Sequence, residues 1–300
     1  MKTIHLRVDS EGPVLVEGSA PMPVAGEGEL LIRVQAAGIT TTELGWYPTT
    51  HTKSGEARRG AVPAHEFSGV IADGPEAGHP VFGMNDWYAD GALAEYCTAP
   101  AAAVAAKPGR LTHEEAASVP IGALTAWQGL YDRAKLRAGE RVLVHGGSGA
   151  VGVFAIQLAR IRGAHVIATA SAHHLDFVRA LGAEEAIDYR GTPCADKVDV
   201  VFDTVGGETL ARSWSLLREG GRMVTIVSGD SAETRVRDAF FIVEPNQKQL
   251  TEVADLLERG QLIPVVDKVI PLNQAVEAYT GQLMRSGRGK VVVAIDRSYR

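Results

Sequence analysis

The chain has 300 residues, 45% hydrophobic and 22% charged, values that fit a globular protein and exclude disordered and fibrous classes. That length is large for one domain and fits two, each able to bury its own core. The formal net charge is −6 and no run of Lys or Arg is longer than Arg58-Arg59, which argues against nucleic acid as a partner, because a phosphate backbone is held by clustered positive charge.

The opening run Met1-Lys2-Thr3-Ile4-His5 has no apolar core followed by a small-residue cleavage site. No later segment is apolar for the roughly twenty residues that a membrane span requires, so the sequence predicts a cytoplasmic protein without a membrane partner. Cys97 and Cys194 are far apart and neither belongs to a CxxC pair, which predicts two reduced thiols rather than a disulfide or a zinc knuckle. The run Leu30-Leu31-Ile32-Arg33-Val34-Gln35-Ala36 is rich in branched residues and predicts a strand ending at Gly38. Phe67 to Ala72, Pro80 to Gly83 and Ala92 to Cys97 continue as short strands among Gly/Pro turns, the pattern of a compact β-rich domain. The alanine-rich stretch Ala101 to Ala106 reads as a linker. Thr112 with Glu115 three residues later predicts a capped helix start.

After Leu136 the rhythm becomes strand, helix, strand, helix. Arg141 to His145, His165 to Thr169, Val198 to Phe202 and Gly221 to Val227 read as strands, and Ala150 to Arg162 and His174 to Leu181 as helices, the second ending at Gly182. Such alternation specifies a doubly wound parallel sheet with helices on both faces. A last strand, Lys290 to Ile295, closes the chain.

Between the first of these strands and the first of these helices stands Gly147-Ser148-Gly149-Ala150-Val151-Gly152. A GxGxxG run is informative in this setting. The first glycine permits a tight turn, the second lets backbone approach a pyrophosphate, and the third lets helix and strand pack closely, while the helix N-terminus faces the phosphates with free N–H groups. About twenty residues on, an NAD-preferring site carries a carboxylate for the ribose hydroxyls. Here the residues are Thr169-Ala170-Ser171. With no carboxylate to repel a 2′-phosphate, and with Ser171, His173, His174 and Arg190 able to donate hydrogen bonds or charge, NADPH is the predicted cofactor.

The glycine loop, the preceding Pro120-Ile121-Gly122-Ala123-Leu124-Thr125-Ala126-Trp127 and the closing Gly287-Arg288-Gly289-Lys290-Val291-Val292 resemble the medium-chain dehydrogenase/reductases over essentially the whole chain. Within that superfamily the sequence is most similar to the quinone oxidoreductases and related zinc-free reductases, whose bacterial members carry a segment like Phe240 to Asn246. The resemblance implies an α/β protein with a GroES-like β-rich catalytic domain, residues 1–119 and 268–300, and a doubly wound Rossmann domain, residues 120–267, with NADPH in the cleft between them. It implies that Ser171, His174 and Tyr189 surround the 2′-phosphate, His174 replacing a lysine common in quinone oxidoreductases. It places Thr125 beside the nicotinamide and the backbone of Phe241 and Val243 at the carboxamide. It also implies a homodimer formed near the strand Met223 to Val227.

Zinc-dependent relatives have a Gly-Ile-Cys-His-Thr-Asp-like run where this chain has Gly38-Ile39-Thr40-Thr41-Thr42-Glu43. His65-Glu66 survives from the Gly-His-Glu motif, the third ligand position falls at Ile121, and the four-cysteine structural lobe is absent. A catalytic zinc uses three protein ligands, so no metal site is expected, and His65 and Glu66 read as structural groups or polar lining. The charge developing on a substrate oxygen is then met by Thr40, by the cofactor ribose, or by Tyr47 and water, each donor being worth roughly 3–4 kcal/mol. Activated acceptors, quinones and α,β-unsaturated carbonyl compounds, suit such a site. Trp46, Tyr47, Trp87 and Tyr88 are candidate pocket walls, and Glu43 a candidate polar group at the mouth. Two alternatives stand beside this reading: a zinc-free NADP-dependent alcohol dehydrogenase or tailoring reductase, and a non-catalytic NADPH-binding sensor.

Overall fold

The computed structural model describes residues 1–9, 12–191, 196–227 and 233–295. Cys194 lies outside these residues. The chain opens with a hairpin, β1 (Lys2–Asp9) and β2 (Gly12–Ser19), followed by β3 (Glu29–Gly38), β4 (Glu66–Ile71), β5 (Pro80–Met84), β6 (Tyr96–Pro100) and β7 (Val104–Ala106). A second set then forms: β8 (Arg141–Val144), β9 (His165–Ala170), β10 (Glu185–Asp188), β11 (Val198–Asp203) and β12 (Leu217–Thr225). Finally β13 (Val266–Pro271) and β14 (Lys290–Ala294) return to the first set.

The first sheet has the order β13-β14-β3-β4-β5-β7, with β6 also paired to β3. All its pairs are antiparallel except β13 with β14. Two expectations change here. The strand read at Ala92 to Cys97 forms four residues later, because Tyr96 to Pro100 find their partners in Arg33 to Glu29. The alanine stretch is not a linker: Val104–Ala106 pair with Val81, Phe82 and Gly83, so ladder hydrogen bonds and a shared core override the weak strand preference of alanine.

The second sheet is parallel throughout, in the order β10-β9-β8-β11-β12. From β8 the chain runs outward through β9 and β10, then crosses back to β11 and β12, which makes the end of β8 the switch point where such sheets bind ligands. Alternating side chains explain why both faces are covered. Val142, Val144, Val166, Ala168, Val200 and Phe202 enter one core with the helices Pro120–Trp127 and Gly152–Ile161. Leu143, Ile167 and Val201 enter another with Leu210 and Val236. The strand expected at the edge is at the edge, as β12, but it ends at Thr225 rather than Val227. Thr112 caps the helix His113–Ala117 with the reciprocal Glu115 bonds. Gly182 ends the helix Leu175–Leu181 at φ 119°.

Candidate functional site

The glycine loop joins β8 to the helix Gly152–Ile161. A Cβ on Gly152 would fall 2.1 Å from the carbonyl oxygen of Gly146 and 2.8 Å from the Cα of Gly147, so only glycine lets the helix start press against the turn. A Cβ on Gly149 would meet nothing closer than the Gly146 oxygen at 3.3 Å, which leaves that peptide open to approach. The left-handed conformation of the turn belongs to Gly146, φ 72°, and not to Gly147; Gly147 is instead held by its N–H on the Thr169 carbonyl at 2.8 Å. This cradle fits a dinucleotide pyrophosphate. Ala150 and Val151 complete it, half-buried ahead of the helix.

At the end of β9, Ser171 Oγ lies 3.3 Å from His174 Nδ1, and the same nitrogen lies 3.2 Å from Ser148 Oγ of the glycine loop. Three of the residues expected around a 2′-phosphate or pyrophosphate are thus joined. Tyr189 follows β10 with its N–H on the Ala170 carbonyl at 3.1 Å, its ring 59% exposed and Arg190 5.2 Å from the ring centre. One element of this rim escaped the sequence reading. Gly289 donates its N–H to the Ser148 carbonyl at 2.8 Å, and Arg288 reaches the His173 carbonyl and lies 4.9 Å from the Phe177 ring centre. The C-terminal segment thereby lies over the glycine loop, held from behind by Asp267, which accepts from Ser286 and Gly287. His145 is likewise buried next to the loop, bonded to Thr169 and Ser213, and burial holds its pKa below the usual value despite nearby Asp203.

Thr125 is buried, its hydroxyl donating to the Ile121 carbonyl at 2.6 Å, which leaves the oxygen as an acceptor only. Phe241 and Val243 are buried; Phe241 N–H donates to Thr225, and the Val243 carbonyl accepts from Trp87 Nε1 at 3.3 Å. Gln128 clamps the next residue, donating to the Glu244 carbonyl at 2.7 Å and accepting its N–H at 3.0 Å.

Around Thr40 the arrangement differs from expectation in one respect. Glu43 is not at the mouth. It is fully buried, because four donors draw it inward: Tyr279 OH at 2.5 Å, His65 Nδ1 at 3.0 Å, Ala64 N–H at 3.0 Å and Thr40 N–H at 3.4 Å. Burial and the Glu43 carboxylate push the Tyr279 phenol well above its ordinary range. Tyr47 is 55% exposed and stacks on His51. Of the aromatic walls, Trp46 and Trp87 meet edge to face at 5.4 Å, while Tyr88 sits under Lys53.

Glu66 is fully buried, paired with the buried Lys290, and its second oxygen accepts from Ile121 N–H at 2.9 Å. Burial raises its pKa against the lowering pull of Lys290 and Ile121. These contacts bear on zinc. With threonine and isoleucine at two ligand positions, and Glu66 taken up by Lys290 and Ile121, His65 alone offers a nitrogen, and the donor set does not fit a three-ligand catalytic zinc. Among the described residues no group of three His, Cys, Asp or Glu is placed to hold a metal.

Two family descriptions match the chain: "Alcohol dehydrogenase GroES-like domain" over residues 26–109 and "Zinc-binding dehydrogenase" over residues 181–293. A "Probable zinc-binding oxidoreductase, mitochondrial" of Arthroderma benhamiae is 35% identical, covering 92% of this chain and 91% of its own. An "NADPH-dependent alkenal/one oxidoreductase, chloroplastic" of Arabidopsis thaliana is 31% identical over 93% of this chain and 75% of its own. Among solved structures, the quinone oxidoreductase of Thermus thermophilus, also determined in complex with NADPH, superposes with a TM-score of 0.75 at 33% identity, covering 98% of this chain and 100% of that one.

Proposed function

The chain belongs to the medium-chain dehydrogenase/reductases, a family of oxidoreductases, and we propose that it is an NADPH-dependent, zinc-independent reductase of quinones or α,β-unsaturated carbonyl compounds. One observation carries the reading: among the described residues, Thr40, His65, Glu66 and Ile121 are tied into hydrogen bonds and the Glu66–Lys290 ion pair and make no metal ligand set. Without a Lewis acid, an unactivated ketone or alcohol is a poor partner, whereas a quinone or enone already delocalises the charge that arrives with a hydride. NADPH supplies that hydride when bound.

The chain's own residues then divide the work. Gly147 to Gly152 hold the pyrophosphate at the start of a helix, and Ser148, Ser171 and His174 hold the 2′-phosphate, with Tyr189 along its exposed side. Thr125 and the backbone of Phe241 and Val243 position the nicotinamide. Thr40 donates to the substrate oxygen, and Trp46 and Trp87 form an apolar wall that excludes water. Tyr47, standing outside against His51, serves the rim of the pocket better than the oxygen. The domain division at 119/120 and 267/268 belongs to the same proposal, as does a homodimer formed beside the edge strand β12.

The test is NADPH oxidation against a panel of quinones, enones, enals and simple aldehydes, repeated with NADH and, in reverse, with alcohols and NADP. Turnover of the activated acceptors with NADPH is expected. Oxidation of alcohols alone would move the protein to the alcohol dehydrogenases, and cofactor binding without turnover of any acceptor would make it a sensor.

A further inference from the structure

His65 is buried, with Nδ1 bonded to Glu43 and Nε2 without a hydrogen-bond partner among the described residues. A buried polar nitrogen left unpaired is disfavoured, and where it persists it points to a ligand or a catalytic use. The surroundings favour the second. Glu43 receives donors on both oxygens, which assigns the Nδ1 proton to His65 and leaves Nε2 as the working atom. A second proton, on Nε2, makes an imidazolium whose charge the Glu43 carboxylate meets at 3.0 Å.

The fold brings the His65 side chain close to Thr40 and to the loop assigned to the nicotinamide. Ala64, at φ 67°, is an L-residue in the left-handed region, and this turn feeds His65 into β4, where Glu66 pairs with Gly38 at the end of β3. Thr40 follows Gly38 and hangs on the same Glu43 that orients His65. On the other side the His65 ring lies 5.5 Å from Trp87, whose indole N–H is bonded to the Val243 carbonyl. His65 thus stands between Thr40 and the loop assigned to the nicotinamide.

We propose that His65 is the catalytic proton donor, delivering the Nε2 proton to the α-carbon of an α,β-unsaturated carbonyl substrate. This rests on the reading of the site as an enone reductase. The substrate β-carbon receives the hydride pair supplied by NADPH, forming a C–H bond, and the C=C π pair moves to the α-carbon and carbonyl oxygen as an enolate. Thr40 meets the oxygen. The α-carbon then takes the Nε2 proton, the N–H bond breaks, and His65 is left as neutral imidazole on Glu43, to be reprotonated by water once the saturated ketone leaves. The substrate is reduced by two electrons and the nicotinamide oxidised by two. Glu43, backed by Tyr279, is a positioning residue.

The experiment uses the full chain in deuterated water with NADPH and an α-methyl cyclohexenone, reading the configuration of deuterium at the α-carbon by NMR, with benzoquinone as a second acceptor. One α-face should be labelled by the wild type. His65→Gln should lower enone turnover by about 10²–10⁴-fold, the usual contribution of a placed acid, and scramble the α-carbon. NADPH binding should be largely retained, and benzoquinone reduction, whose hydroquinone anion takes its proton from water, should fall by less than enone turnover. A further readout needs no turnover: the imidazole nitrogen NMR signal lost in His65→Gln should shift when the saturated ketone binds the wild type. Random labelling by the wild type, or equal loss of enone and quinone turnover in a variant that still binds NADPH, overturns the assignment. A wild type that reduces neither acceptor rejects the enone-reductase reading itself, and the proton donor with it. If His65→Gln does not fold, His65→Asn takes its place in the turnover, labelling and nitrogen-signal comparisons.

Discussion

Replacing Lys290 by Met perturbs the buried join between the C-terminal strand and the first sheet. Glu66 and Lys290 are both buried, and besides the lysine Glu66 has, among the described residues, only the Ile121 N–H as donor. Methionine keeps the volume of the lysine stem and removes the ammonium. The carboxyl is then expected to take up a proton rather than stay charged in an apolar site. Its ordinary pKa is 4.5, so holding it neutral at pH 7, 2.5 pH units higher, costs about 3.4 kcal/mol at about 1.36 kcal/mol per pH unit. That agrees with the roughly 3–5 kcal/mol lost when one member of a buried pair is removed. The sign follows from the raised folded-state pKa: stability is intact below the unfolded value and is lost as pH rises toward the folded one. Urea unfolding between pH 5 and pH 8 should therefore find Lys290→Met mildly affected at the acid end and progressively weaker above it. Lys290→Met combined with Glu66→Gln should lose that dependence. A single-mutant cost below about 1 kcal/mol at pH 7, or one independent of pH, would refute the account of the pair.

Three further outcomes are expected. Ser171→Asp puts a carboxylate where the 2′-phosphate is assigned; at an effective dielectric near 20 the repulsion is a few kcal/mol, or roughly tenfold to a thousandfold in NADPH affinity, with NADH unchanged or improved in calorimetric titration. An unaltered ratio would remove Ser171 from the site. Gly152→Ala drives a Cβ to 2.1 Å from the Gly146 oxygen, so thermal unfolding should show a loss of about 1–3 kcal/mol together with weakened NADPH binding; a fully stable, fully binding variant contradicts the packing argument. Ala64→Gly relieves a left-handed backbone at φ 67° but loosens the unfolded chain, so the net change should lie between zero and about 1 kcal/mol of stabilisation. A clear destabilisation would mean that the alanine methyl contributes more than the strain removes.

Features encoded by neighbours in sequence were legible. The Thr112 capping box and the Gly182 helix stop depend on residues within one or two turns and form where their spacing predicts, and the glycine loop does so apart from its left-handed turn, which falls at Gly146, and its helix, which starts at Gly152 rather than Ala150. Strands with branched residues, β3, β4 and β8, were equally readable. What sequence could not supply was the partner that overrides weak local preference. Val104–Ala106 become a strand only because β5 offers its edge. Glu43 read as a mouth residue because a carboxylate near threonines defaults to solvent, and its burial is decided by Tyr279, distant in the chain. Gly289 over Ser148 escaped for the same reason, although the closing segment itself was noticed. Ser171 and His174 meet as their spacing suggests, three residues apart at a helix start. The stacking of Tyr47 on His51, four residues on, is a local contact of the same kind.

The central claim, hydride transfer to an activated acceptor without zinc, is tested most directly in one assay. Purified protein is treated exhaustively with chelator, its zinc content is measured, and NADPH oxidation by an enone is followed at once. The account predicts undiminished turnover with well under one zinc per chain, as the Thr40, His65 and Ile121 constellation requires. Turnover that is lost on chelation and restored by stoichiometric zinc would contradict it.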